Sequence, residues 1–282
     1  MKAIDLYGHL EKDFICEGLS DDWLPYIAGT EDYLSANFIE RSMGLVCDFT
    51  EEINTIYSAV FPSEKVMKEI LDTGATDAML FVHHPAAWDI SREIALYPMD
   101  TALLDQFRER RISIYNLHVP LDNYSEYSTS KTLADALDIQ IEKPFAMYFG
   151  ALCGVMGRTA CQTVEELNDV FSQAVGHPTA LYQYGNHEIK DGRVAVAAGG
   201  GNDRGVVTEM LEDDIRVLIT GVSVRNHISS SVHAYEQEQG VNVLGGTHYS
   251  TEKFACIKMC DYFNRLGLSA VFIEGEPDLG GM

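Results

Sequence analysis

Positive charge is scarce in this chain. Twenty Lys and Arg stand against 43 Asp and Glu, a formal net charge of −23 over 282 residues. No basic run exists to neutralise a phosphate backbone, and the summed field repels one, which argues against nucleic acid as a partner. Long apolar stretches are missing as well. No segment approaches the roughly 18 consecutive apolar residues of a membrane span, so no membrane partner is expected. The start, Met1-Lys2-Ala3-Ile4-Asp5, lacks the basic beginning and apolar stretch of a secretory signal. The six cysteines (Cys16, Cys47, Cys153, Cys161, Cys256, Cys260) form no Cys-x-x-Cys pair. In a chain of this length they read as free thiols in a reducing compartment, and the expected location is cytoplasmic.

What is present is a core. Hydrophobic residues make up 46% and aromatics 10% of the chain, which is globular rather than disordered composition. Strand-like runs alternate with helical patterns almost throughout. An amphipathic helix at about Ile4–Lys12 is followed by an irregular Asp/Trp/Gly stretch and short strands near Gly44–Phe49 and Ile53–Phe61. A helix follows Pro62, with Ser63 as N-cap and Gly74 as stop. The run Ala78–Val82 is too short for a helix and continuous enough for a strand buried on both faces. Helix Thr101–Arg111 leads to a second such strand, Ile112–Leu117. Later, Thr163-Val164-Glu165-Glu166 is a capping box opening a helix that ends by Gly176. Val194–Ala198, Val217–Ile219 and Val241–Leu244 read as buried strands, each followed by glycine and a helix. The expected fold is α/β with mainly parallel strands, taken as one domain over residues 1–282 with a soft seam near 143–150.

Sites in open α/β folds form beyond the carboxyl ends of strands. After Ala78–Val82 comes His83-His84-Pro85. After Ile112–Leu117 comes His118-Val119-Pro120-Leu121-Asp122. After Val241–Leu244 comes Gly245-Gly246-Thr247-His248-Tyr249-Ser250-Thr251-Glu252. Four of the nine histidines thus gather at three strand ends with two carboxylates. Adjacent residues of a strand point to opposite faces, so His83 and His84 suit two neighbouring ions better than one. Pro120 argues against a regular helix between His118 and Asp122. His248 and Glu252 face one point if Ser250 or Thr251 starts a helix. Imidazoles mixed with carboxylates, without thiolate, suit borderline divalent ions such as Zn²⁺, Mn²⁺, Fe²⁺ or Ni²⁺. The surplus of ligands favours a two-metal centre with open positions over a closed structural zinc. The plain alternatives stand beside each piece: a satisfied buried His pair, an Asx turn, and an acid at a helix start.

The three elements, in this order and at these spacings, resemble the Nif-three-like dinuclear metal-binding family, whose members are often called GTP cyclohydrolase I type 2 homologues. The resemblance covers nearly the whole chain; Asp21-Asp22-Trp23 looks like the family's N-terminal segment and Glu274-Gly275-Glu276-Pro277-Asp278 like its C-terminus. It implies two similar, intertwined α/β lobes with the metals between them, no inserted middle domain, and a homo-oligomer, typically a ring-like hexamer. It implies two divalent ions per chain on His83, His84, Asp122, His248 and Glu252, with Glu252 bridging, and His118 as a nearby proton-handling residue. The family's His-Thr-Asn-Leu-Asp is His118-Val119-Pro120-Leu121-Asp122 here, its Thr-Gly-Asp is Thr220-Gly221-Val222, and its Trp-Asp-Asn is Trp23-Leu24-Pro25. These departures spare the ligands and remove polar groups that would touch a substrate.

Gly199-Gly200-Gly201, between a strand and a helix starting near Asp203, reads either as an anion-binding turn or as a tight turn near the site. Cys256 and Cys260 continue the His248/Glu252 helix face and read as core thiols. His177, His187, His227 and His233 have no partners readable from sequence. Glu51, Glu52, Glu236 and Glu238 read as solvated or helix-end acids. Two functions follow: a metal-dependent hydrolase of a small nucleotide-like or heterocyclic substrate, or a non-catalytic metal-binding, metal-delivery or scaffold protein.

Overall fold

The computed structural model describes residues 1–226 and 229–282, so His227 lies outside the described residues. It is a mixed α/β structure with parallel strands at the centre of its sheets. The chain divides into two compact units, Met1–Leu121 with Cys256–Glu276, and Asp122–Ala255 with Pro277–Met282.

In the first unit five strands lie in the order Gly44–Cys47, Ile112–Asn116, Ala78–Val82, Thr55–Ala59, Ser269–Phe272. Only the pair made by Gly44–Cys47 is antiparallel. Ala78–Val82 is buried at every position, which is why its sequence is an unbroken apolar run. One face meets Val66, Met67 and Ile70 of helix Glu64–Asp72 and Leu103, Leu104 and Phe107 of helix Thr101–Glu109. On the other, Phe81 packs edge-on against Phe263, ring centroids 5.4 Å apart. Both helices start where a side chain satisfies their first N–H groups: Ser63 accepts from Val66, and Asp100 from Ala102 and Leu103.

The second unit holds six strands in the order Gln140–Tyr148, Ala151–Arg158, Arg193–Ala197, Val217–Thr220, Asn242–Gly245, Ala180–Tyr182. Alternation along its central strands decides which helix each residue meets. Val194, Val196, Val217 and Ile219 pack with Leu133, Leu167 and Phe171, whereas Ala195, Ala197 and Leu218 pack with Val207, Met210 and Val232. The sheet is therefore covered on both faces, as central parallel strands require. Helix Val164–Val175 carries the expected cap, Thr163 accepting from the Glu166 N–H, and stops at Gly176, whose φ of +86° is left-handed. Glu166 returns its own bond one residue early, to Gln162 N–H at 2.8 Å. Phe171 is fully buried on this helix. Phe171→Ala is expected to cost about 3–5 kcal/mol in urea denaturation, as the loss of a buried aromatic does.

Residues 143–150 form part of the hairpin Gln140–Tyr148/Ala151–Arg158, a continuous ladder. The two compact units meet along the chain at Leu121/Asp122, Ala255/Cys256 and Glu276/Pro277. One expectation changes: Val119–Asp122 forms a single helical turn. Pro120 sits in that first turn, where a missing N–H costs nothing, and Leu121 N–H still reaches the His118 carbonyl at 2.9 Å. Among the described residues no helix is long and apolar enough to cross a membrane.

Candidate metal centre

The first unit supplies a histidine cluster. His83 and His84 leave the end of Ala78–Val82, and His118 follows Ile112–Asn116, the neighbouring parallel strand. Backbone ties continue past the strand ends: His83 N–H to Ala59 O at 3.3 Å, His84 N–H to Val60 O at 2.9 Å, and Leu117 N–H to Val82 O at 3.2 Å. His83 Nδ1 faces Leu117 O at 2.9 Å, and the Asn116 amide donates to the His83 carbonyl. Beyond the regular pleat the two adjacent imidazoles no longer diverge, and their rings stand 4.4 Å apart. A ring nitrogen from each of His83, His84 and His118 lies within 4.8 Å of the others. His83 is 0% and His84 1% exposed.

Aromatic rings and one carboxylate fix this cluster. Phe61 stacks on His84 at 4.5 Å and 11°, and Trp23 meets His84 and His118 edge-on at 5.5 and 4.8 Å. Asp21 receives His118 Nδ1 at 3.0 and 3.2 Å on its two oxygens. Its role was not legible from the motif Asp21-Asp22-Trp23 alone.

The second unit supplies a carboxylate and imidazole set. Helix His248–Arg265 begins at His248 itself. Thr247, rather than Ser250 or Thr251, receives the freed Ser250 N–H on its hydroxyl, at 3.1 Å. One turn later Glu252 Oε1 lies 3.1 Å from His248 Nε2, and both residues are buried. Asp122 Oδ1 accepts from the Thr129 hydroxyl at 2.6 Å.

The glycine loop explains itself by space. A Cβ on Gly199 would fall 2.0 Å from Glu252 Oε1 and 3.1 Å from His248 Cδ2, and φ there is +64°. Gly201 is equally crowded, its Cβ position 2.5 Å from Ala197 O, whereas Gly200 is open. The N–H of Gly199 already donates to Thr251 Oγ1 at 3.0 Å. The following helix, Arg204–Glu212, is capped by the Asp203 carboxylate, which disfavours a second anion there. Gly199→Ala is expected to displace the Glu252 carboxylate and to destabilise the chain by at least about 1 kcal/mol, since a β-carbon meets both a clash and a left-handed φ. Calorimetric unfolding measures the second effect and metal content the first.

A family model described as Duf34/NIF3 (NGG1p interacting factor 3) matches residues 38–278. The chain belongs to the Duf34/NIF3 family. It is similar to the GTP cyclohydrolase 1 type 2 homolog of Pyrococcus horikoshii, 27% identical over 241 residues that cover 84% of this chain and 90% of that relative. The Borreliella burgdorferi protein of the same name is 26% identical over 220 residues, 77% of this chain and 81% of the other. Among solved structures it resembles protein ybgI, described as of unknown function, with a TM-score of 0.76 at 20% identity, covering 98% of this chain and all of the other. Reduced HcgD from Methanocaldococcus jannaschii gives 0.68 at 21% identity, covering 98% of each. At those identities the two structures speak for the fold.

In this Duf34/NIF3 chain the donor chemistry fits a metal ion. Buried imidazoles within one another's reach, and a buried His–Glu pair accommodated by a glycine, are an arrangement that divalent cations stabilise. Other residues are placed by the structure away from that chemistry. His187 is exposed and His177 is half-buried, its Nδ1 2.7 Å from the Pro178 carbonyl. Cys256 is buried, its Sγ 3.3 Å from Ala59 O, and burial pushes the half-buried Cys260 thiol up to about 11. Glu51, Glu52 and Glu238 are exposed. Glu236 is not: it is 0% exposed, with its side chain beside buried His233. The reading of Glu236 as a solvated acid is corrected, because helix Ser230–Gln239 turns that position inward although its neighbours are polar.

Proposed function

We propose that this chain carries a dinuclear metal centre on His83, His84, Asp122, His248 and Glu252, with Glu252 bridging, and hydrolyses a small nucleotide-like or heterocyclic substrate. The observation that carries the reading is the histidine cluster of buried His83 and His84 with half-buried His118, in which one ring nitrogen of each lies within 4.8 Å of the others. The relatives named GTP cyclohydrolase 1 type 2 homolog support the reaction class. Divalent ions there would supply Lewis acidity toward water and toward the oxygen on which charge develops. The protein's own contribution is positional. Thr129 orients the Asp122 carboxylate, Phe61 and Trp23 exclude water from His84, and His118 takes the proton of the attacking water.

The departures from the family pattern at Val119-Pro120, Val222 and Leu24-Pro25 favour a second reading, a non-catalytic metal-binding or metal-delivery protein, because each replaces a polar group. Turnover separates the two. The metal-loaded chain is expected to hydrolyse a member of a panel of nucleotides, pterin precursors and cyclic amides, with His118→Ala slower by about 10²–10⁴. No turnover across the panel, with rapid transfer of metal to an acceptor protein, would establish the second reading instead.

A further inference from the structure

The histidine cluster contains one interaction that metal ligation by His83 and His84 does not require. Asp21 lies 97 positions before His118, yet its side chain is only 4% exposed and both its oxygens face His118 Nδ1, at 3.0 and 3.2 Å. Its Oδ2 also receives the Val119 N–H at 3.4 Å. Trp23 meets the His118 ring at 80°, centroids 4.8 Å apart, and holds the imidazole from a second side. A carboxylate accepts hydrogen bonds and cannot donate them when ionised, so a neutral ring placed this way carries its hydrogen on Nδ1.

We propose that Asp21 is the positioning residue of His118: it fixes the Nδ1–H tautomer and so leaves Nε2 as the lone-pair nitrogen of that ring. The consequence is directional. A ring with its lone pair on Nε2 accepts a proton there and has none to give, so His118 begins the proposed reaction as the acceptor. Carboxylate partners of this kind set the tautomer, orientation and basicity of working histidines. What the lone pair is for rests on the function proposed above; where the proton sits does not.

The measurement therefore needs neither metal nor substrate. In the metal-free, ¹⁵N-labelled full-length chain at pH 8, two-bond ¹H–¹⁵N correlation spectra are expected to show His118 with a pyrrole-type Nδ1 and a pyridine-type Nε2. Asp21→Leu removes the acceptor at similar volume and is expected to exchange the two signatures, whereas Asp21→Glu restores the original pattern. Where Asp21→Leu fails to fold, Asp21→Asn serves, with loss of the single-tautomer signature as its expected result. A pyridine-type Nδ1 or a doubly protonated ring in the parent chain would overturn the assignment, as would an unchanged pattern in the folded Leu or Asn variant. Metal content of the parent chain after loading with divalent ions, measured on separate samples, decides the dinuclear reading, so the two cannot fail unnoticed together.

Discussion

Glu252→Gln is expected to leave the purified chain with at most one divalent ion where the proposed centre of the parent would hold two, as counted by plasma mass spectrometry. The amide keeps the side chain's shape, and Gly199 still leaves it room, but it loses the negative charge and one of two equivalent donors. Two divalent ions about 3.5–4 Å apart repel by roughly 18 kcal/mol at an effective dielectric of about 20. Only anionic ligands between them offset a term of that size. The loss in affinity is therefore expected to exceed the roughly 10–100-fold that follows removal of an outer-shell partner. His84→Ala, in the cluster of the first unit, is expected to act in the same direction, and exposed His187→Ala to change nothing. Two ions retained by a folded Glu252→Gln chain would end the bridging model. The net charge of −23 works with the site here, since a negative field concentrates divalent cations while slowing anionic substrates.

What the sequence disclosed, and what it hid, follows from how far each signal reaches along the chain. Ala78–Val82 was legible because burial on both faces leaves nothing but apolar residues to write. The helix Glu64–Asp72 was legible because Ser63 and Gly74 mark its ends locally. The hairpin Gln140–Arg158 was not: Glu142, Lys143 and Pro144 interrupt its first strand, and half of that strand is exposed. Pro120 misled because its meaning depends on position within a turn. The histidines of the candidate site could be collected from strand ends, since that rule is topological and the strands were correctly placed. Asp21 could not, because its partner is remote in sequence and no spacing connects them. Glu236 was hidden for a related reason. Its neighbours Tyr235-Glu236-Gln237-Glu238-Gln239 are polar on every side, and only packing of the helix against the 223–225 segment and Tyr184 buries it.

That buried acid carries the second large expectation, an alkaline weakening of the fold that Glu236→Gln removes. Neither carboxyl oxygen of Glu236 makes a well-aligned hydrogen bond, although Oε2 lies 3.0 Å from Nδ1 of His233. His233 is committed elsewhere as well, to the Tyr184 hydroxyl at 3.1 Å and to Ser223 O at 2.9 Å. Burial pushes the carboxyl from 4.5 up to about 7, with Arg225 opposing, and pushes the His233 imidazole down. The two groups act in opposite directions. A carboxyl raised in the folded state favours folding below its unfolded value, and that contribution is lost as pH rises through 4.5 toward 7. A depressed imidazole contributes stability that is lost as pH falls below about 6.5. The parent chain's own profile therefore mixes both slopes, whereas the difference between parent and Glu236→Gln cancels the imidazole and isolates the acid. At 1.36 kcal/mol per pKa unit, the variant is expected to gain about 3 kcal/mol relative to the parent between pH 4.5 and pH 8. Urea denaturation at intervals across that range measures the gap directly. A gap that stays flat with pH would mean that Glu236 ionises in the folded chain as readily as in the unfolded one, and that water or a cation reaches a carboxylate with 0% exposure.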